Sequence, residues 1–262
     1  MVWKKNIFPQ CTNIFEMFIV IRYFRDFLSY SSNLSIPKMV LLFSGILILL
    51  TSSQAYSLEN LKVLQTNTII DQSGFIHLFG DIRNISNEPQ YDVAIHAIFI
   101  DKNGQNIGNA SGLASVRSLN TGQVSPFEII FLDKDKSKQF SDYALNFTSK
   151  VGNQKPDSMV ITSSKSKPDI FGYYYVSGRV SNMGIETATN VLAIASFYDN
   201  NGKIIGLSSA IAEPNNMTSH SEASFTIVMD DKIQSSKIKN YSLTIDSDQY
   251  VTKESWFSYC GW

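Results

Sequence analysis

The chain repeats itself at a fixed distance of 98 residues. The segment 76–84, IHLFGDIRN, lies beside 174–182, YYVSGRVSN, pairing Gly80 with Gly178 and Asn84 with Asn182. Further on, 93–108 (VAIHAIFIDKNGQNIG) lies beside 191–206 (VLAIASFYDNNGKIIG), so that Phe99 meets Phe197, Asp101 meets Asp199, and Asn103-Gly104 meets Asn201-Gly202. The register holds without insertion to Phe127 and Phe225, Asp133 and Asp231, and Tyr143 and Tyr241. One folding unit of about 90 residues, an ordinary domain size, is therefore used twice. Carried backwards, the offset pairs Leu61 and Val63 with Met159 and Ile161. It sets a first repeat at 58–148, a linker at 149–157 (SKVGNQKPD) and a second repeat at 158–248, with an aromatic tail at 249–262. So short a linker predicts a rod-like pair, packed end to end or hinging modestly.

Within each unit the hydrophobic residues alternate. Ile76, Leu78 and Ile82, like Tyr174, Val176 and Val180, fall on one strand face at period two. Gly80 and Gly178 sit mid-strand on that face, the mark of a bulge or of a close neighbouring backbone. Residues 93–100 and 191–198 are apolar on both faces, as a buried strand would be. Asp-x-Asn-Gly at 101–104 and 199–202 predicts a hairpin through a type I′ turn. A calcium loop is the competing reading, but Gly112 stands where its bidentate acid is required. Further strands are expected near 108–116, 126–132, 143–148, 206–212, 224–229 and 241–245, with single helical turns near 136–141 and 234–238. Six or seven short strands per repeat, in a chain 12% aromatic, give an all-β reading: two tandem immunoglobulin-like antiparallel β-sandwich domains, with a barrel as the alternative.

The most apolar run is VLLFSGILILL at 40–50. Eleven residues rise about 16 Å as a helix, roughly half a bilayer core. The run fits a secretory signal, with small-x-small sites at Ser53-Gln54-Ala55 and Ala55-Tyr56-Ser57 and a mature start near Tyr56 or Leu58. An uncleaved signal anchor over 38–57 and a short buried core helix are the other readings. Residues 1–37 form an extension whose true start is Met1, Met17 or Met39; if present, Phe15 to Leu28 reads as an interfacial helix. The expected location is extracytoplasmic, secreted or anchored through 38–57, with the membrane met only there. Residues 1–57 carry five basic and two acidic residues, the remainder 17 and 21. That acidic balance speaks against nucleic acid, which needs a basic patch. Lys134, Lys136 and Lys138 alternate with Asp133 and Asp135, as in a solvated loop or a guarded strand edge.

Gly80, Asn84, Val93, Phe99, Asp101, Gly104 and Gly108, repeated 98 residues on, resemble the FxLYD domain, a family of mostly exported prokaryotic β-sandwich repeats. The corresponding pentapeptides are Ala97-Ile98-Phe99-Ile100-Asp101 and Ala195-Ser196-Phe197-Tyr198-Asp199. Both carry Ala for the first Phe and Phe for the Leu, and the second keeps Tyr-Asp. The resemblance implies an extracytoplasmic accessory or interaction module, and it brings no catalytic residues with it.

No Gly-x-Ser-x-Gly elbow, phosphate loop or dinucleotide fingerprint occurs. The three histidines, His77, His96 and His220, form no metal-spaced pair, although His77 and His96 are placed to meet across neighbouring strands. Cys11 and Cys260 leave neither repeat an internal disulfide. No enzyme activity, cofactor or metal is expected. Asn-x-Ser/Thr occurs at Asn84, Asn109, Asn146, Asn216 and Asn240; at Asn84 a backbone-capping role shared with Asn182 explains the residue better than a glycan. Candidate contact residues are Tyr173 and Tyr175 of the Tyr173-Tyr174-Tyr175 run, Asp101 and Asp199 at the turn ends, and Trp256 and Trp262 in the tail, together with strand edges open to strand addition. The reading is a non-enzymatic exported or envelope-tethered tandem β-sandwich protein that binds or spaces a protein or glycan of the cell envelope. The rival is a small-ligand or metal carrier using the cleft between domains and His77 or His96. A third reading is a purely structural, self-associating wall repeat. The oligomeric state is left open.

Overall fold

The computed structural model describes residues 60–252 and the backbone of 256–259. The expectations for the extension 1–37, the signal or anchor segment 38–57, Cys11, Cys260 and Trp262 lie outside the described residues. Leu58–Trp262 forms one compact unit, and within it the 98-residue offset reappears as two antiparallel β-sandwiches of immunoglobulin-like type. In the first, β1 (Leu61–Ile70), β2 (Ile76–Asn84) and β6 (Val124–Phe131) form one sheet. It faces β4 (Asn106–Leu113), β3 (Gln90–Asp101) and β7 (Phe140–Val151), with short β5 (Ser118–Leu119) paired to the start of β3. In the second, β8 (Met159–Pro168), β9 (Tyr174–Asn182) and β12 (Glu222–Met229) face β11 (Ile204–Ile211), β10 (Leu192–Tyr198), β13 (Asn240–Asp246) and β14 (Trp256–Tyr259). One-turn helices α1 (Lys134–Ser137) and α2 (Lys232–Ser235) follow β6 and β12, each capped by an aspartate side chain, Asp133 or Asp231, that accepts backbone N–H groups.

The alternation read from the sequence produces the two cores. Ile76, Leu78 and Ile82 of β2 meet Ile95, Ala97 and Phe99 of β3 in the first. Val176 and Val180 meet Ala193, Ala195 and Phe197 in the second. Gly80 and Gly178 are required by close approach. A β-carbon at Gly80 would lie 2.5 Å from Phe127 Cζ and 2.8 Å from the Gln65 carbonyl oxygen, and one at Gly178 would collide with Phe225 and lie 2.6 Å from the Ser163 carbonyl. The bulge sits not on the glycine strand but on its neighbour, between Val63 and Gln65 and again between Ile161 and Ser163.

Asn84 and Asn182 are fully buried and do the same work in both copies. Asn84 Nδ2 donates to the carbonyls of Glu88 (2.8 Å) and Leu119 (2.9 Å), and its Oδ1 accepts the Ser86 N–H. Asn182 donates to Glu186 and Met217 and accepts from Gly184. The motif at Asn84 is thus spent on fastening the chain, and its amide is closed to a glycan.

The Asp-x-Asn-Gly segments do form hairpins, but the expected type I′ turn is corrected. Such a turn needs positive φ at both central residues, whereas only Gly104 (φ +78°) and Gly202 (φ +74°) adopt it in these loops. The cause is the aspartate. Asp101 Oδ1 accepts the N–H groups of Asn103 and Gln105, each at 2.8 Å, and Asp199 does the same for Asn201 and Lys203. These Asx contacts hold a longer loop with a strand irregularity beside it, after Phe99 and after Phe197.

β7 runs to Val151 and takes up the first residues of the expected linker. The end-to-end rod is also corrected. The repeats pack face against face, and the linker is held in that arrangement: Asn120 Nδ2 donates to the Lys155 carbonyl (2.7 Å), Asn120 Oδ1 accepts the Lys155 N–H (3.1 Å), and Lys155 Nζ reaches Asp246 Oδ1 at 2.7 Å with both side chains 11% exposed. Replacing Gly80 or Gly178 by alanine forces a methyl group against a ring and a carbonyl. Each is expected to cost about 1–3 kcal/mol of stability, readable as a lower midpoint in denaturant unfolding.

Candidate interaction surface

The candidate surfaces follow from which strand faces the repeats leave open. On β2, the residues that point away from the core are His77, Phe79 and Asp81; on β10 they are Ile194, Ser196 and Tyr198. In the tandem these faces meet. Phe79, Tyr198 and Ile204 form one buried cluster, flanked by Ile69 and Leu207; Val116, Ile194 and Val251 form a second. Polar groups stitch the edges. Asn67 Nδ2 donates to the Ile204 carbonyl (2.9 Å), and the Arg117 N–H donates to Asp246 Oδ2 (3.1 Å). Asp81, only 6% exposed, accepts from Gln65 Nε2 at 2.7 Å and lies 3.5 Å from the Tyr198 hydroxyl, which also reaches Ser242 at 3.2 Å. Burial raises the Asp81 carboxyl pKa above its ordinary value, and burial followed by the Asp81 charge pushes the Tyr198 hydroxyl up to about 12.

Sequence reasoning missed this seam, yet a signal for it exists. At outward positions the two copies differ wherever one is covered and the other open: Phe79 against Ser177, Asp81 against Arg179, Ile194 against His96, Ile204 against Asn106, Leu207 against Asn109. An apolar excess at the outward positions of one copy marks surface that another part of the molecule can cover, although Ser196 against Ile98 runs the other way. Among the described residues two faces remain open: the β4-β3-β7 face of the first repeat, with Ile98, Asn109, Ser111, Asn146 and Thr148, and the β8-β9-β12 face of the second, with Tyr175, Ser177, Arg179 and Thr226.

The residues singled out in the sequence take these places. Tyr174 is the core ring, edge-on to Phe197 at 6.0 Å. Tyr173 and Tyr175 are half-buried at the surface, Tyr173 under the Lys232 ammonium at 4.9 Å. The Asp101 and Asp199 carboxylates are engaged by their own loops, and the Gln105 N–H is the largest influence holding the Asp101 pKa down. Trp256 opens β14, whose backbone pairs with β13. His77 and His96 do not meet, because they lie on different sheets and both point outward. His77 Nδ1 bonds Glu128 Oε1 (2.6 Å) and its Nε2 approaches Asp71 (3.4 Å), while His96 bonds Ser111 Oγ (2.8 Å) and Thr148 Oγ1 (3.1 Å).

Two shallow clefts flank the seam. One of about 250 Å³ lies among Asp92, Leu113, Arg117, Asn190 and Asp246, and one of about 370 Å³ among Tyr91, Ser118, Lys155 and Gln249. They stand at or below the small end of ordinary ligand clefts, roughly 300–1,000 Å³, and neither is lined by His77 or His96. Among the described residues, no group of three His, Cys, Asp or Glu is arranged to hold a metal ion, every buried side-chain nitrogen or oxygen has a partner, and no helix is long and apolar enough to cross a membrane.

The two ionisable groups on the β2 outer face make opposite pH signatures. The Glu128 hydrogen bond raises the His77 pKa above 6.5, so its contribution is fully present below the unfolded value and is lost as pH rises through the folded one. The raised Asp81 pKa works the other way: its penalty sets in as pH rises above the ordinary value of 3.8 and grows until the folded value is passed. Asp81→Asn is expected to raise the unfolding temperature at pH 7 and to have no such effect at pH 3. His77→Gln is expected to flatten the stability profile between pH 6 and 8. Thermal unfolding followed by circular dichroism across pH reads both.

No family model matches the chain, and no curated protein matches it. Among solved structures, it is similar to a red sea bream transglutaminase (6% identity, TM-score 0.26, 78% of this chain and 31% of that one). It is also similar to the Amycolatopsis orientalis exo-chitosanase CsxA (8% identity, TM-score 0.30, 74% and 26%) and to a β-glucuronidase of Bacteroides uniformis (12% identity, TM-score 0.27, 77% and 28%). The chain spans about a third or less of the length of each of these proteins.

Proposed function

We propose that the chain is a non-enzymatic tandem β-sandwich protein of the FxLYD type, exported or tethered to the envelope through 38–57, that binds or spaces a protein or glycan of the cell envelope. The observation that carries this reading is the seam. Two copies of one fold are fixed against each other by buried apolar clusters, which turns a pair of small domains into one stiff body with two open sheet faces. Stiffness is what a spacer or a presenting scaffold requires, because ordering costs are then met before a partner arrives. The side chains that would otherwise invite a catalytic reading have structural work: the aspartates of both turns hold loops, and His77 and His96 bridge strands. Tyr175 and Arg179 on the open face of the second repeat are the contact residues of this reading, an aromatic and a guanidinium of the kind that anchor recognition surfaces.

Fractionation of cells producing the native protein, with protease shaving of intact cells and mass spectrometry of the released peptides, tests the proposal. The expected result is peptides from 60–252 released from intact cells or present in the medium, with an N-terminus near Tyr56 or Leu58 if the signal is cleaved. A chain confined to the cytosol and protected from protease until lysis would overturn it.

A further inference from the structure

The two repeats differ at one sheet edge. In the second, β13 is flanked on one side by β10 and on the other by β14, with Asn240 to Leu243 paired antiparallel to Tyr259 to Trp256. Its counterpart β7 pairs, among the described residues, on one side only, with β3. The side chains register the difference. Tyr241, Leu243 and Ile245 are fully buried, whereas Tyr143, Leu145 and Phe147 are only partly so, although they pack on the same kind of core. The edge donors of β7 are met locally: the Tyr143 N–H donates to Asp142 Oδ1 and the Phe147 N–H to Asn146 Oδ1, both at 2.8 Å. These residues turn their N–H groups away from β3, towards the open edge.

We propose that β7 is a self-association edge, and that its occupant is β7 of a second copy running antiparallel. The strand is self-complementary in one register. Centred on Asn146, the pairing sets Asp142 opposite Lys150 of the second copy, and the reverse, on the outward face. On the inward face Leu145 sits opposite Phe147 and Tyr143 opposite Ser149. In that register Tyr143, Leu145, Phe147 and Ser149 make the mutually hydrogen-bonded pairs, and Asn146 faces its own copy in a non-hydrogen-bonded pair. Slipping the register by two residues separates Asp142 from Lys150, so the charges select the alignment. Asp142, Asn146 and Lys150 are all exposed, and Lys150 at present reaches Asp92 of its own copy at 3.4 Å, an ion pair with both side chains largely in solvent that is cheaply exchanged. The contact is isologous, so it closes as a two-fold dimer and joins two sheets into one.

Disulfide trapping tests this on the full chain with Cys11 and Cys260 changed to serine. Non-hydrogen-bonded partners have β-carbons about 4.5–5.5 Å apart, within small adjustment of a disulfide. Asn146→Cys is expected to give at least about tenfold more disulfide-linked dimer than Thr226→Cys on the open face of the second repeat, a position exposed like Asn146 and outside the proposed contact. Adding Lys150→Asp should lower the yield, and Asp142→Lys with Lys150→Asp should restore it. Equal cross-linking at both positions would overturn the proposal. So would a dimer in sedimentation that is indifferent to the charge variants, since it would have to be held by another part of the chain.

Discussion

Phe79 and Tyr198 hold the architecture together. They come from equivalent families of strand positions, outward residues of a sandwich that would ordinarily face water, and each is buried only because the other repeat covers it. Burying a side chain of this class is worth about 1.5–3 kcal/mol, and the seam contains several: Ile204 beside them, and Val116, Ile194 and Val251 in the neighbouring cluster. For two domains already joined by a short linker, a handful of such side chains outweighs the remaining orientational freedom. The tandem therefore behaves as one body, and the linker follows the seam.

The polar contacts at the seam select its geometry more than they strengthen it. Asp81 is buried beside Tyr198 and is held by Gln65, so its carboxylate form carries an energetic cost while the contacts fix how the sheets register. Lys155 and Asp246 form the complementary case. Both are nearly buried and well paired, so removing either partner would leave an isolated charge and cost about 3–5 kcal/mol, whereas an apolar pair of similar volume would be tolerated. Arg117 and Asp248, 3.6 Å apart and more exposed, add little by comparison.

Much of the fold is legible in the sequence because duplication tests each inference twice. The β2 and β9 strands are visible in the period-two pattern around Gly80 and Gly178, and the burial of Asn84 is foreshadowed by Asn182 standing where a glycosylation motif fails. The Asn-Gly pair signals the turn at Asp101 but not its conformation, because the aspartate two residues before Asn103 competes for the loop's amides. The helical turns came two residues earlier than expected, at the aspartate caps Asp133 and Asp231. The seam was harder to see, since periodicity reports which face of a strand is apolar and says nothing about what covers the other face. Its trace lies in the differences between the copies: Phe79 where the other has Ser177, Ile194 where the other has His96. The edge of β7, unpaired among the described residues, is likewise a difference, visible only when its counterpart β13 is seen to carry a further strand, β14.

The central claim, that the seam couples the two sandwiches into a single cooperative body, is tested most directly by calorimetric unfolding of the chain and of Tyr198→Ala. The account predicts one transition in the unmodified protein, and in the variant either a lower single transition or a split into two as the coupling fails. Two separate transitions in the unmodified protein, only one of which responds to Tyr198→Ala, would contradict it.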